Sequence, residues 1–152
     1  SGMHSLLRFP EEQYKLREDP SLIKTAIQEM FRFESPLPYF HRFATEETIL
    51  AGHTFKEGTR FGLLYGAANR DPSRFNEPNR FDITRNPNRH VAFGGGTHFC
   101  LGNHLARLDM DVIFTTLNDR FKSIELADPN PVYKSGLSVR GPKSLHIEWN
   151  TK

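Results

Sequence analysis

The stretch VAFGGGTHFCLGNHLARLDMD, residues 91–111, contains Cys100, the only cysteine of the 152-residue chain. Three consecutive glycines, Gly94–Gly96, precede it, and a leucine-rich pattern with helical spacing follows it. Glycine permits positive φ angles and close backbone approach. The start of a helix presents free N–H groups and the positive end of the helix dipole. We therefore expect Cys100 at the head of a helix, in surroundings that favour its thiolate.

A lone thiol in this position is open to more than one interpretation. A thiolate binds metals, and a single cysteine thiolate is one established axial ligand of haem iron. An arbitrary free cysteine is more often a small, buried and inert core residue. A zinc site built from His98, Cys100 and His104 is disfavoured, because these residues cross a loop-to-helix junction without finger-like ligand spacing.

The surrounding residues decide between these interpretations. The window FGGGTHFCLGNHLAR matches, position by position, the haem-binding signature F-G-x-G-x-H-x-C-x-G-x-x-L-A-R of the cytochrome P-450 family. The matching residues are Phe93, Gly94, Gly96, His98, Cys100, Gly102, Leu105, Ala106 and Arg107. The chain thus resembles the soluble bacterial cytochromes P-450, which are haem-thiolate monooxygenases. The resemblance implies heme b (iron protoporphyrin IX) as cofactor, with Cys100 as the iron ligand and Phe93, Gly94, His98 and Gly102 in the cofactor-binding region.

A second motif lies on the helix before the predicted strands. Glu29 and Arg32 are spaced as an i, i+3 ion pair opposite an apolar stripe, which by itself is typical of a solvated pair of little energetic weight. They also match the family's E-x-x-R motif. In the family a third partner comes from a P-x-R-F motif, here at residues 78–81. The resemblance therefore implies that Glu29, Arg32 and Arg80 form a buried structural group that locks the loop carrying Cys100.

Two further residues resemble cofactor contacts. Arg42, in RFATEET, resembles the strand arginine that binds a haem propionate, and His90 resembles a second propionate contact. An isolated arginine or histidine in such places is more often a surface residue or a satisfied core group. Their order and spacing relative to Cys100 favour the cofactor role.

The fold class expected is mainly α with small β-sheets (α+β), as the incomplete C-terminal, haem-ligand part of the cytochrome P-450 fold. Helical signals with prolines at their first turns occupy residues 9–33, with Asp19 as an N-cap. Short strands separated by Gly52 and Gly58 follow in residues 39–64. A long irregular segment spans residues 67–90, an apolar pattern predicts one helix from Leu101 to Phe121, and SLHIEW predicts a final strand.

Composition narrows the classes of function. The net charge of +2 offers no bulk electrostatic case for nucleic acid. The sequence contains no apolar run approaching the roughly 20 residues of a membrane span. One cysteine cannot form an internal disulfide, which fits a reducing compartment. We expect no nucleic-acid or membrane partner and a cytoplasmic location.

The resemblance covers nearly the whole chain but only the C-terminal portion of the family. Residues 1–152 are thus expected to be a C-terminal fragment of one cytochrome P-450 domain, without the helix that activates oxygen and without catalytic residues. The parent protein is expected to insert one atom of O2 into a small organic substrate, with electrons from a ferredoxin-type donor on the Cys100 side. The chain alone is expected to be inactive, and a non-catalytic haem-binding or apo structural fragment is the alternative. Its thirteen phenylalanines favour self-association.

Overall fold

A computed structural model of the chain describes residues 1–136 and 138–152. It begins with two helices, α1 (Gly2–Arg8) and α2 (Pro10–Glu18). Pro10 occupies the first turn of α2, where a missing N–H costs no hydrogen bond. The sequence pattern indicated α2 but not α1, whose seven residues are too few for an apolar period to stand out.

The third helix carries the motif residues Glu29 and Arg32. A short 3-10 turn (Pro20–Leu22) leads into α3 (Ile23–Phe33), and the Asp19 carboxylate accepts a hydrogen bond from the Ser21 N–H at 3.0 Å. Asp19 is therefore a cap, as predicted, although the turn that it caps is 3-10. One face of α3 is buried in the core, which gathers side chains from the helices and from the irregular segment: Leu6, Leu16, Ala26, Met30, Phe33, Phe81, Ile83 and Phe114.

Four short strands follow α3 and form two antiparallel pairs. The outer pair joins β1 (Phe40–Phe43) to β4 (Arg60–Leu63), and the inner hairpin joins β2 (Thr48–Leu50) to β3 (His53–Phe55). Gly52 and Gly58 have φ angles of 80° and 79° at the two turns, a region that favours glycine.

An irregular segment connects the strands to the cysteine region. After the short helix α4 (Tyr65–Ala68), residues 69–95 contain turns and bends but neither helix nor strand. A 3-10 turn (Gly96–His98) then precedes the long helix α5 (Asn103–Arg120). Helix α5 therefore begins three residues after Cys100, with Gly102 as its N-cap, rather than at the cysteine itself.

The end of α5 also differs from the prediction. Phe121, predicted as helical, begins strand β5 (Phe121–Leu126), which pairs antiparallel with β6 (Ile147–Thr151). The helical period ends there because Phe121 takes an extended conformation, with φ −114° and ψ 133°. Half of the apolar residues of α5 are exposed (Leu105, Leu108, Val112 and Ile113), and within the described residues only Asn103 and Phe114 of this helix are buried. The predicted class, helices with small β-sheets, is confirmed.

Candidate functional site

An open apolar pocket of about 450 Å³ lies beside Cys100. It is bounded by the end of α3, strand β1, helix α4, the first turn of α5 and the cysteine loop, which we define as residues 91–102. Its apolar walls are formed by Phe31, Pro36, Leu37, Phe40, Tyr65, Ala92, Phe93 and Ala106. The polar groups on the same pocket are the Cys100 thiol, Arg42 and His98.

Backbone hydrogen bonds within residues 91–102 shape the cysteine loop. The Gly94 N–H donates to the Val91 carbonyl and the Cys100 N–H donates to the Phe93 carbonyl, both at 2.9 Å. Gly94 has a φ angle of 72°, which an L side chain adopts only with strain. A Cβ at Gly94 would also lie 3.5 Å from the Tyr65 hydroxyl. Glycine at this position therefore keeps the loop flat and the pocket wall open, with the Cys100 thiol exposed to it.

Phe93 forms the floor between the cysteine loop and the helices. Its ring packs against Phe31 of α3 with ring centroids 4.7 Å apart. The guanidinium of Arg107 lies over the same ring, 4.5 Å from its centroid. A cation held over an aromatic face is stabilising, so Phe93 is fixed from both α3 and α5.

Arg42 and His98 are basic side chains that line the pocket together with Cys100. Arg42 lies on β1, and its Nη1 donates to the neighbouring His41 carbonyl at 2.9 Å. Among the described residues, none of the ion pairs includes Arg42. His98 ends the 3-10 turn of the cysteine loop and is exposed. The pocket thus combines a sulfur donor and an unpaired cation with apolar walls.

His90 is not among the residues that line this pocket, and its expected propionate contact stays a prediction. Its Nδ1 accepts the Ala92 N–H at 3.2 Å, so its Nε2 carries the proton and donates to the Gln28 side-chain oxygen at 3.1 Å. Burial lowers the pKa of His90 to about 4, and the positive charges of Arg107 and Arg32 add to the shift. Both ring nitrogens of His90 therefore have hydrogen-bond partners within the described residues.

Glu29 and Arg32 are fully buried, whereas their spacing alone favours a solvated pair. Arg32 donates to both carboxylate oxygens of Glu29, at 2.7 and 2.8 Å. Its remaining donors reach the carbonyls of Asn69, Pro78 and Arg80, at 2.8, 2.8 and 3.0 Å. The pair therefore holds the irregular segment against α3 through backbone atoms.

The expectation that the Arg80 side chain joins this pair is wrong. Its side chain is 54% exposed and pairs with the equally exposed Glu77 at 3.2 Å. Arg85, whose side chain is only 11% exposed, is the arginine that approaches Glu29, at 3.2 Å. Arg80 contributes its carbonyl, which any residue could supply. The sequence offered no signal to prefer Arg85, because both arginines lie in the same aperiodic segment.

Asn69 is a second residue that sequence reasoning missed. It is fully buried, its Nδ2 donates to the Ser35 hydroxyl at 2.8 Å, and its Oδ1 accepts the Val91 N–H at 2.7 Å. It therefore joins the end of α3 to the start of the cysteine loop. Asparagine is common in turns for local reasons, so this long-range role leaves no trace in the local pattern.

The described residues were also compared with the requirements of a metal-ion site and of a membrane span. Across residues 1–136 and 138–152, no three His, Cys, Asp or Glu side chains converge on a point where a metal ion would fit. A search of the described helices finds none with the length and hydropathy of a membrane span. A single thiol facing an apolar wall, with a cation at its border, fits one face of a flat, apolar, iron-containing anion.

Comparison with known proteins identifies one family. The sequence model of the family "Cytochrome P450" matches residues 5–149. The chain is 50% identical over 142 residues to the biotin biosynthesis cytochrome P450 of Bacillus subtilis, covering 93% of this chain and 36% of that relative. It is 40% identical over 147 residues to the steroid C26-monooxygenase of Mycolicibacterium smegmatis, covering 96% of this chain and 37% of that relative.

A solved structure shows the same fold. The crystal structure of P450BioI in complex with an acyl carrier protein ligated to hexadec-9Z-enoic acid superposes with a TM-score of 0.94 at 44% identity, covering 98% of this chain and 39% of that one. The chain thus spans little more than a third of the length of these relatives. With the family match across residues 5–149, these findings show that the chain belongs to the cytochrome P450 family.

Proposed function

We propose that this chain is the cysteine-ligand part of a haem-thiolate monooxygenase that inserts one atom of O2 into a small organic substrate. The observation that carries the proposal is the exposed Cys100 thiol on an apolar pocket whose border holds Arg42. When bound, heme b would supply the oxygen-activating chemistry, and a thiolate ligand favours O–O cleavage. We also propose that residues 1–152 are a C-terminal part of one cytochrome P450 domain.

Six residues at or beside the pocket have specific roles in this proposal. Cys100 would hold the iron through its sulfur. Arg42 would neutralise a propionate, because its guanidinium has no carboxylate partner among the described residues. His98 would hydrogen-bond beside the propionates rather than touch the iron. Phe93 would exclude water from the sulfur side, and Gly94 and Gly102 would keep the backbone close to the ring.

In this proposal the chain would provide one of the two walls that a haem needs. Catalytic groups that deliver protons to bound oxygen would come from the part of a cytochrome P450 domain that this chain does not include. The proposal for the chain alone is therefore cofactor attachment without turnover. A non-catalytic fragment that holds no haem is the alternative, and the cytoplasm is the proposed location because the lone cysteine fits a reducing compartment.

Electrons would arrive at the Cys100 side from an acidic, ferredoxin-type donor. Arg70, Arg85 and Arg107 are tied into the fold by hydrogen bonds, whereas Arg74 and Arg89 are exposed. Exposed positive charge steers an acidic partner and makes association fall with rising salt.

Haem titration tests the proposal most simply. Ferric heme b is added to the purified chain, and the carbon monoxide difference spectrum of the reduced sample is recorded. A thiolate-type band with near-stoichiometric haem supports the attachment role. Saturable haem binding without that band would contradict the assignment of Cys100, and no saturable binding would favour the apo alternative.

A further inference from the structure

The side chain of Gln28 sits where α3, the irregular segment and α5 meet. Its Oε1 accepts hydrogen bonds from two different elements: His90 Nε2 at 3.1 Å and Arg107 Nε at 3.4 Å. The assignment of this atom as oxygen is internally consistent. His90 Nδ1 accepts the Ala92 N–H, so Nε2 must donate, and arginine has donors only.

Arg107 connects Gln28 to the cysteine loop through Asn103. Its Nη1 donates to the Asn103 side-chain oxygen and, at 3.4 Å, to the Asn103 carbonyl. The Asn103 Nδ2 then donates to the Cys100 carbonyl at 2.8 Å, and the Asn103 N–H approaches the same carbonyl at 3.3 Å. Asn103 is buried, so these groups have little water to replace their partners. The orientation of the peptide that follows Cys100 is thereby set by α5.

The guanidinium of Arg107 also packs on the Phe93 ring, which lines the pocket. It lies 4.5 Å from the Phe93 ring centroid, and the carbonyl of Phe93 accepts the Cys100 N–H at 2.9 Å. Arg107 therefore contacts residues on both sides of Cys100 in the sequence: Phe93 before it and Asn103 after it. Gln28 is the side chain on α3 that accepts a hydrogen bond from this arginine, at 3.4 Å.

We propose that Gln28 is a positioning residue for the cysteine loop, acting through Arg107 on Phe93 and on the Asn103–Cys100 contact, and acting through His90 on the start of the loop. This inference rests on the proposed role of Cys100 as iron ligand. It adds a residue outside the signature window and adjacent to the E-x-x-R pair, with a task distinct from that pair. Glu29 and Arg32 hold the irregular segment, whereas Gln28 holds the loop that carries the thiol.

The chain offers a matched control for a test. Gln13 on α2 is also partly buried, and its Nε2 donates to the Ile124 carbonyl at 3.0 Å, a contact with β5 rather than with the cysteine loop. The variants are Gln28→Leu, which removes the acceptor, Gln28→Glu, which keeps it, and Gln13→Leu, which removes an equivalent glutamine contact elsewhere.

Amide hydrogen exchange of the purified chain reports local opening residue by residue. Gln28→Leu should raise exchange at the Gly94 and Cys100 amides about tenfold, as expected for loss of a buried hydrogen-bond acceptor. Gln28→Glu should leave these amides protected, and Gln13→Leu should leave them unchanged. Equal exchange at both amides in Gln28→Leu and the starting chain, or an equal rise in Gln13→Leu, would overturn the inference.

A global loss of stability is separated from positioning by urea unfolding of the same proteins. If Gln28→Leu is too unstable to purify, Arg107→Lys replaces it. Lysine keeps the charge but lacks the planar fork that reaches Gln28 and Asn103 together, so the same two amides should lose protection. Their unchanged protection would overturn the inference.

The carbon monoxide spectrum distinguishes the two proposals. If the haem-loaded starting chain gives a thiolate-type band, Gln28→Leu should lose a measurable share of it and Gln28→Glu should retain it. A full band in Gln28→Leu would contradict positioning while leaving the role of Cys100 intact. Absence of the band from the starting chain would contradict the proposed function, while the exchange result would still decide whether Gln28 orders the loop.

Discussion

Arg32 donates to both carboxylate oxygens of Glu29, at 2.7 and 2.8 Å, and solvent reaches neither side chain. Glu29 in turn accepts the Asp82 N–H at 2.9 Å and the Asn88 side-chain amide at 3.0 Å. A buried ion pair stabilises a fold only when its remaining polar atoms are also satisfied. Here the additional partners are all in the irregular segment, so the pair fixes the segment that precedes the cysteine loop.

Removing one member of this pair should be strongly destabilising. Glu29→Ala leaves the Arg32 guanidinium buried without its carboxylate, at a cost of about 3–5 kcal/mol in the free energy of unfolding. Glu77→Ala, which removes the carboxylate of the exposed Arg80 pair, should cost less than about 1 kcal/mol. Urea unfolding of both variants measures the difference, and similar small losses for the two would contradict the structural role of Glu29.

The two arginines of the irregular segment should behave differently. Arg85→Ala removes a mostly buried guanidinium that approaches Glu29 and also donates to the Asn76 carbonyl at 2.8 Å. Arg80→Ala removes an exposed side chain and leaves the carbonyl that Arg32 uses. We expect a loss of about 1–3 kcal/mol for Arg85→Ala and a change within about 0.5 kcal/mol for Arg80→Ala. Thermal unfolding that shows the reverse order would restore Arg80 as the side-chain partner.

The neutral His90 ring should make stability fall in weak acid. Its pKa is about 4 in the fold, against about 6.5 for an unperturbed histidine. Between these values the unfolded chain binds more protons than the folded one, so stability rises with pH. This contribution is complete above about pH 6.5, decreases as pH falls towards 4 and is lost below that, amounting to at most about 3 kcal/mol.

The His90 contribution can be isolated by substitution. Burial also lowers the pKa of His4, which adds a slope of the same sign. His90→Gln should therefore flatten, without abolishing, the dependence of the urea midpoint on pH between 4 and 6.5. An unchanged slope in His90→Gln would show that the His90 ring is not held neutral.

The exposed stripe of α5 should drive self-association of the isolated chain. Leu101, just before the helix, is 97% exposed, and Leu105, Leu108 and Val112 continue the stripe with 61%, 57% and 58% exposure. Covering such a surface is favourable by roughly 25 cal/mol per Å² of apolar area. The double variant Leu105→Lys/Leu108→Lys should lower the mass found by light scattering. Val132→Lys, at an exposed apolar residue outside the stripe, should not change it.

A clean monomer before any substitution would remove the basis of that prediction. A mass lowered equally by Val132→Lys would show that the association is not specific to the α5 stripe.

The fold could be predicted from the sequence where local signals and the family signature act together. Pro10 marks the start of α2, and Asp19 marks the start of the 3-10 turn. Gly52 and Gly58 mark the turns between the strands, and the signature window marks the cysteine loop. Local patterns failed where tertiary contacts decide. The apolar period of α5 predicted a helix but not which neighbour covers its stripe, and within the described residues Leu105, Leu108 and Val112 are exposed.

The site was predictable in composition but not in its polar contacts. Cys100, Arg42, Phe93, Gly94 and His98 line one pocket, Gly102 is not among its lining residues, and the cofactor roles of all six stay predictions. The hydrogen-bond partners of the buried side chains could not be predicted, because hydrogen bonds between residues far apart in sequence leave no periodic signal. Arg85 replaces the Arg80 side chain, and His90 turns towards Gln28 rather than towards the pocket.

Cys100 is proposed to supply the iron ligand, and one substitution tests this role directly. Cys100→His replaces the sulfur by a nitrogen donor while leaving Arg42 and the apolar walls in place. The carbon monoxide difference spectrum of the reduced, haem-loaded protein is recorded for both forms. The account predicts a thiolate-type band with Cys100 and its complete loss in Cys100→His at similar haem content. Survival of the thiolate-type band in Cys100→His would contradict the account.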